Sequence, residues 1–341
     1  MSNALVLMKA MPPTKGHERL IEFAMSFCEE GWVLMDTAPD EPLQQQRWQW
    51  LAHQVINGRG WEADWLTIDD QNPASDGFWE RWKSRIDEYD NFDYVIGSED
   101  YCAKVAEVIG ARYIPYDPKR ELVSARATDV RGNLQGNFAE VSESFQHNLR
   151  RTITVFGAES TGKTTLSKTL ASLLQGEWLF EWARPYLEGT GQDVVDLTAM
   201  HEIWHGQFAA EENAEKFAVD KPFIVRDTDL YSTIGYWEQP HWQSDLGPVP
   251  ENLIQDAKHH QADLYVITQS NIPFEKDPLR YGGDHRESPD KYWIDVAEKY
   301  GLPHIVLTSN DRSDRVLEAS AAAVEIFNKK NSIYYDRKLV S

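Results

Sequence analysis

The stretch VFGAESTGKTTL, residues 155–166, decides how this 341-residue chain is read. Gly157, Gly162, Lys163 and Thr164 fit the spacing G-x-x-x-x-G-K-[ST]. Average residue usage would produce that match by chance in about one chain of this length in a hundred. Its setting adds weight. TITVF precedes it and TTLSKTLASLL follows, so the turn joins an apolar strand to a helix. Across Gly157, Ala158, Glu159, Ser160, Thr161, Gly162 and Thr165 the backbone can aim N–H groups at phosphate oxygens. Lys163 then reaches the outer phosphates and the Thr164 hydroxyl ligates a metal, so ATP and Mg2+ are the expected ligands.

Working outward, the second half alternates strands and helices. Strands are expected at TITVFG, GEWLFEWA (176–183), PFIVRDTD, ADLYVIT and HIVLT. Helices are expected from Lys163, across 196–217, up to about 259, over DKYWIDVAEKYG and near 311–328. The first half does the same. Strands ALVLMKA, WVLMDT, ADWLTI, DYVIGS and ARYIPYD are separated by helices at HERLIEFAMSFCEE, 41–57, FWERWKSRIDEY and EDYCAKVAEVIG. Short apolar runs bounded by Gly, Pro or Asp suit buried parallel strands. The expected fold class is α/β with two doubly wound parallel-sheet domains, divided as 1–145 and 150–341. The polar segment 132–151, GNLQGNFAEVSESFQHNLRR, reads as the connector.

A chain of 341 residues exceeds the size at which single cores stop growing, which agrees with two domains. With 41% hydrophobic and 26% charged residues, the composition is that of a soluble globular protein. A formal charge of −21 argues against coating nucleic acid or anionic membrane, because such binding runs on Lys and Arg. Anionic substrates must be caught locally, by clustered N–H groups and a few placed cations. No apolar run is long enough to span a bilayer and the opening residues do not resemble a signal peptide, so a cytoplasmic location is expected, with membrane insertion excluded. Cys28 and Cys102 lack metal-ligand spacing and read as buried small apolar residues. The sequence leaves a homo-oligomer open.

Acids and cations near the predicted strand ends supply candidates for chemistry. PFIVRDTD carries Asp227 and Asp229; Asp227, first after the strand, is the expected second metal ligand, and Asp229 is assigned to substrate. LFEWARPY places Glu181 and Arg184 at the same sheet edge, where ligands bind in open α/β folds. Glu181 can act as base toward a hydroxyl and Arg184 can pair with phosphate or hold Glu181. Arg280 and Arg286 flank Gly282-Gly283, a pattern suited to a closing lid, with Phe274 in the same loop able to stack on a flat ring.

The first half has no Gly-rich turn. Instead MKAMPPTKGHERL brings Pro12, Thr14, Gly16 and His17 to a strand-to-helix junction, where a helix N-terminus favours anions. Lys119, Arg120, Arg126 and Arg131 cluster just past the last predicted strand, a density of cations unusual in so acidic a chain.

Taken together, these residues resemble the NadR family of bifunctional nicotinamide-nucleotide adenylyltransferases and ribosylnicotinamide kinases, without the helix-turn-helix repressor domain that some members carry. Lys9, Pro12, Thr14, Gly16 and His17 match the family's opening G-K-F-x-P-x-[HT]-x-G-H, with Met8 and Ala10 replacing its Gly and Phe. GSEDY resembles the S-x-E stretch and implies Ser98 and Glu99 near the nucleotide. SARATDVR resembles I-S-x-T-x-x-R and implies roles for Ser124, Thr128 and Arg131. GAESTGKTTL, EWARPY, RDTD and IPFEKDPLR follow the family's kinase order, Phe274 standing for a Trp beside the nicotinamide and Pro278 for a Gly. The resemblance implies a Rossmann-like nucleotidyltransferase domain followed by a P-loop kinase domain, with nicotinamide riboside, NMN, ATP and NAD as small-molecule partners. Two rivals stay open: a kinase whose first domain only senses NAD or NMN, and a P-loop ATPase acting on a protein partner.

Overall fold

The computed structural model describes residues 2–38, 41–56, 58, 60–67, 72–191, 195–271 and 289–332. These form two compact units, divided after Leu149 and again after Lys330.

The first unit runs β1 (Asn3–Met8), α1 (Lys15–Phe27), β2 (Glu30–Thr37), α2 (Gln44–Val55), β3 (Trp61–Thr67), α3 (Phe78–Ile86), β4 (Tyr94–Gly97), α4 (Asp100–Ile109), β5 (Arg112–Pro115), α5 (Ala127–Gly132) and α6 (Glu143–Gln146). The sheet has the order β3-β2-β1-β4-β5 and every pairing is parallel. β1 is buried along almost its whole length, which is why it reads as an unbroken apolar run rather than an alternation. Strand order reverses between β1 and β4, so the loops leaving those two strands flank the crevice where open α/β sheets hold ligands.

The segment 132–151 is not the polar connector expected from its composition. Phe138, Val141, Phe145 and Leu149 are 1%, 0%, 0% and 0% exposed, and they belong to the first unit. They sit on a short 3-10 turn (Phe138–Glu140), an extended stretch at Val141 and Ser142, the four-residue α6 and the turn after it, so no single periodicity marks them and the polar residues between masked the signal. Ser142 accepts a hydrogen bond from Trp50 Nε1 at 2.7 Å, and its backbone N–H donates to Pro13 at 3.1 Å. The segment therefore braces the turn between β1 and α1.

The second unit runs β6 (Arg151–Gly157), α7 (Lys163–Leu173), β7 (Glu177–Leu179), α8 (Ala183–Thr190), α9 (Leu197–Phe217), β8 (Phe223–Asp227), α10 (Leu230–Trp237), α11 (Pro240–Leu246), α12 (Glu251–His259), β9 (Leu264–Thr268), α13 (Asp290–Lys299), β10 (His304–Leu307) and α14 (Arg312–Asn331). The order is β10-β9-β6-β8-β7, again parallel. β6, β8 and β9 sit at the centre, and β8 and β9 are buried at every position. The strand expected over 176–183 is much shorter. It stops at Leu179, and α8 begins at Ala183, so Glu181 lies in a turn with Arg184 in the first turn of the helix.

No helix among the described residues is long and apolar enough to cross a membrane. Cys28 and Cys102 are both buried and unpaired as thiols, in agreement with the sequence reading.

Candidate active site

Between β6 and α7 the chain adopts backbone angles that only its sequence permits at low cost. Gly157 has φ +132°, and a Cβ there would lie 2.6 Å from the Thr268 carbonyl oxygen on β9. Gly162, at φ +86°, starts α7. Thr161 is 1% exposed; its hydroxyl donates to Ala158 O at 2.7 Å and meets the Thr268 hydroxyl at 2.7 Å. Arg315 of α14 donates to Thr161 O at 3.0 Å and Gln269 O at 2.9 Å, tying the loop to the end of β9. Lys163 is 7% exposed, its ammonium turned to the inner side of the loop and donating to Gly157 O at 3.0 Å and Ala158 O at 2.8 Å.

Asp227 ends β8 directly beside Val155 of β6, two residues before the loop. It is 2% exposed, and its Oδ1 has no hydrogen-bond partner among the described residues. An unsatisfied buried carboxylate oxygen is costly, and a hard cation is the partner that would satisfy it. With the Thr164 hydroxyl on the first turn of α7, the donors are the oxygens that Mg2+ prefers, so the residues present fit that ion. The next residue, Thr228, holds φ +69°, an uncommon conformation for a β-branched side chain. Such conformations cluster at functional sites.

A cavity of about 150 Å3 opens here, and Lys163, Glu159, Glu181 and Arg184 all line it. Its remaining wall is largely apolar and aromatic, with Tyr236 of α10 and Trp242 of α11; Thr228, Ser232 and Thr233 add hydroxyls and Gln207 of α9 a buried amide. No local pattern in the sequence marks Tyr236, Trp242 or Gln207, because each arrives from a separate helix. Asp229, expected to touch substrate, is placed otherwise. Its Oδ1 accepts from the backbone N–H groups of Tyr231 at 3.0 Å and Ser232 at 3.2 Å, capping α10, and it is 2% exposed. A second cavity, of about 430 Å3, lies between α7 and α14 and is lined by Gly162, Thr165, Thr169, Arg312 and Leu317. Arg280, Arg286 and Phe274 lie outside the described residues.

Behind the first cavity runs a buried polar chain. Gln207 Oε1 accepts from the backbone N–H of Trp182 at 3.0 Å and its Nε2 donates to Glu211 at 2.9 Å. Glu211 accepts from Arg226 at 3.0 Å, and Arg226 immediately precedes Asp227. The turn carrying Glu181 and the strand carrying Asp227 are thus fixed through one network. Burial pushes the Glu211 carboxyl up to about 7, against the pull of Arg226 and with further upward push from the Asp229 charge. A carboxyl whose folded-state value is raised binds more protons folded than unfolded, so its stabilisation is full below its unfolded value near 4.3 and is lost as pH rises toward 7. Glu211→Gln removes this titration. Its Tm relative to wild type is expected to rise on going from pH 5 to pH 8, and a Tm difference independent of pH would refute the assignment.

In the first unit, α1 begins at Lys15 with Thr14 before it. The Thr14 backbone N–H donates to His17 Nδ1 at 3.0 Å, and the Thr14 hydroxyl lies 2.8 Å from the same nitrogen. With Nδ1 accepting, the neutral ring carries its proton on Nε2 as a donor. Burial, and then the charges of Arg120, Arg47 and Arg131, bring the His17 value down to about 3. Cations therefore gather here within an acidic chain. Arg47, not singled out in the sequence, is fully buried and holds the turn: Nε donates to Ala10 O at 3.2 Å, Nη2 to Lys9 O, and Nη1 to Glu41 at 2.9 Å. Ala10 has φ +45°. Lys9 itself pairs with Glu41 at 2.8 Å. Arg131 donates to Met11 O and, at 3.1 Å, to the Thr128 hydroxyl. Gly16 packs closely on the loop that also carries Ser124: a Cβ there would come 3.2 Å from Ala125 O, a tight contact. Glu99 pairs with Arg120, and Ser98 donates to Tyr116 O at 2.5 Å. Pro12 follows a cis peptide bond. Among exposed members of the basic group, Lys119 and Arg126 extend to solvent.

Because His17 is depressed, it is neutral across the working range, and its stabilisation, present above about 6.5, is lost as pH falls toward 3. Any reaction in this unit is expected to show no inflection near pH 6.5 that disappears in His17→Asn. Such an inflection, measured as rate against pH, would show that the ring titrates.

Parallel strand order, a phosphate-binding turn at the end of the central strand, an orphaned carboxylate beside it and a second anion-favouring helix start define a two-unit α/β protein with a P-loop. Residues 152–315 match the family model described as an AAA domain. The chain is 23% identical over 350 aligned positions to the trifunctional NAD biosynthesis/regulator protein NadR of Escherichia coli, covering 96% of this chain and 83% of that protein. The Salmonella typhimurium protein of the same name is 21% identical with the same coverage. Two solved structures are similar to the chain: a NadR protein in complex with NR (TM-score 0.63, 19% identity) and one in complex with NAD and AMP-PNP (TM-score 0.61, 21% identity), each with 96% of both chains covered. The chain is homologous to the NadR proteins.

Proposed function

We propose that this protein makes NAD in two steps, phosphorylating nicotinamide riboside to NMN in its second unit and joining NMN to ATP in its first. The observation that carries the reading is the convergence of Lys163, Glu181 and Arg184 on one cavity beside the orphaned Asp227 carboxylate. Homology to the NadR proteins over 96% of the chain supports it for both units.

In the second unit the riboside 5′-hydroxyl oxygen bonds to the γ-phosphorus of ATP, the bond to the β–γ bridging oxygen breaks, and ADP leaves. Glu181 orients the hydroxyl and receives its proton. Lys163 and the loop N–H groups stabilise charge on the transferring phosphoryl group. Arg184 holds the acceptor, whose flat ring packs on Tyr236 and Trp242. Thr164 and Asp227 would hold Mg2+, which neutralises phosphate charge when bound. The second cavity, between α7 and α14, suits the adenosine end of ATP.

In the first unit an NMN phosphate oxygen attacks the α-phosphorus of a second ATP and pyrophosphate leaves. No covalent intermediate with the protein is needed. His17 Nε2–H, Arg120 and Arg131 position the phosphates and stabilise their charge, while Thr14, Gly16 and Arg47 shape the turn. A second reading, in which this unit only binds NAD or NMN, is favoured by one observation: Lys9 is engaged by Glu41 rather than facing a phosphate.

A product time course separates them. With Mg-ATP and nicotinamide riboside, NMN and ADP are expected first and NAD with pyrophosphate second; with Mg-ATP and NMN, NAD and pyrophosphate are expected directly. Riboside stopping at NMN, with NMN inert, would leave a kinase joined to a binding unit. ATP hydrolysis with no NMN would overturn both readings.

A further inference from the structure

Away from both nucleotide sites, the end of α12 faces α9 with a set of side chains that neither proposed reaction uses. Glu212 lies on α9, His259 is the last residue of α12, and His260 follows it; one ligand atom from each lies within 4.8 Å of the others. Glu212 Oε1 is 3.0 Å from His260 Nε2 and 3.9 Å from His259 Nε2. Ligands held about 2.0–2.1 Å from a tetrahedral ion stand about 3.3 Å apart, and the two observed separations lie on either side of that value.

His260 supplies an independent observation. Its side chain is 1% exposed, and although Nε2 sits close to Glu212, that nitrogen is buried and has no hydrogen bond of acceptable geometry. Its direction does not suit a proton shared with the carboxylate. Meanwhile the other ring nitrogen is already committed: Nδ1 lies 3.2 Å from Glu215 Oε1. The Glu215 carboxylate also accepts from Arg226 at 3.0 Å, which leaves it ionised and fixed. A carboxylate holding Nδ1–H leaves the Nε2 lone pair facing outward, the arrangement that orients histidines bound to metals. Phe208 packs edge-on to the ring at 5.0 Å, and Arg226 donates to the His260 carbonyl at 2.6 Å, so the imidazole is locked before any ion arrives. The C-terminus of α12 adds a field favourable to a cation.

We propose that Glu212, His259 and His260 form a binding site for a late first-row divalent cation, with Zn2+ the fitting ion, leaving one position for water. Two imidazoles and one carboxylate suit zinc and its neighbours and are poorly suited to Mg2+. The site ties the end of α12 to α9 and adjoins the network that holds Asp227 through Arg226, which donates to the His260 carbonyl and to Glu215. It is independent of the proposed two-step reaction.

Metal-stripped full-length protein, titrated with Co2+ in the absence of nucleotide and Mg2+, is the test. Uptake of one equivalent with the visible absorption of a four-coordinate Co2+ centre is expected, displaced by Zn2+ and unaffected by excess Mg2+. His259→Ala and His260→Ala are each expected to abolish that spectrum and weaken binding at least tenfold, as loss of one of three ligands requires. His259 is 71% exposed in its side chain, so its variant tests binding without endangering the fold. No four-coordinate spectrum in wild type would overturn the proposal. A spectrum retained in either variant would also overturn it, by placing the metal elsewhere.

Discussion

Lys163→Ala is expected to lower phosphorylation of nicotinamide riboside by about 10²–10³-fold, the loss typical when one preorganised charge donor is removed, while NAD formation from added NMN is unchanged. The ammonium is held on the inner side of the loop by Gly157 O and Ala158 O, where phosphate oxygens would bring their charge. Removing it strips a buried cation from a site already inside an acidic protein, so neither solvent nor the overall field replaces it. Since the variant also loses two hydrogen bonds within the loop, Lys163→Met, which keeps the apolar stem, is measured beside it. Unchanged far-UV circular dichroism and intact adenylyl transfer report that the fold survives. Equal loss of both activities in a folded protein would refute separate sites, and undiminished kinase activity would refute the role of Lys163.

Asp227→Asn is expected to have a comparable effect on riboside phosphorylation, about 10²-fold or more, by a different physical route. Asp227 Oδ1 is buried without a hydrogen bond. Such a group weakens the metal-free fold and is kept because something binds it. The amide removes the charge at nearly constant volume, so the metal-free variant is expected to be at least as stable as wild type. What disappears is linkage: Mg-ATP raises the wild-type Tm by binding only the folded state, and this rise shrinks in the variant. A thermal scan with and without Mg-ATP reads the effect apart from turnover. An undiminished rise would show that Asp227 does not support the metal.

The P-loop was legible because the residues that form its turn are consecutive, although Thr268 and Arg315 then hold it from afar. Gly157 and Gly162 allow positive φ, the apolar run before them is a strand, and the helix after them starts where the phosphate must sit. The same is true of Thr14 and His17, which bond to each other three residues apart. Asp229 shows the limit of such reading. An acid just past a strand can face a ligand or cap the next helix, and the choice fell to the N–H groups of Tyr231 and Ser232. Segment 132–151 misled in the other direction, since Leu134, Phe138, Val141, Phe145 and Leu149, scattered among polar residues, were enough to bury it. Gln207, Tyr236, Trp242 and Arg47 carried no local mark at all, yet the first three complete the wall of the cavity beside Lys163 and Arg47 holds the turn between β1 and α1.

By itself the sequence determined the alternation of strand and helix, the parallel class of both sheets and the phosphate turn, because backbone sterics and hydrophobic periodicity act over a few residues. Only the tertiary structure decided which side chains meet: strand order set Asp227 beside the loop, helix packing brought an amide and two aromatic rings to the cavity beside Lys163, and burial shifted the titration of His17 down and of Glu211 up. Those outcomes depend on contacts between residues tens of positions apart, whose free energies exist only once the chain has closed around them.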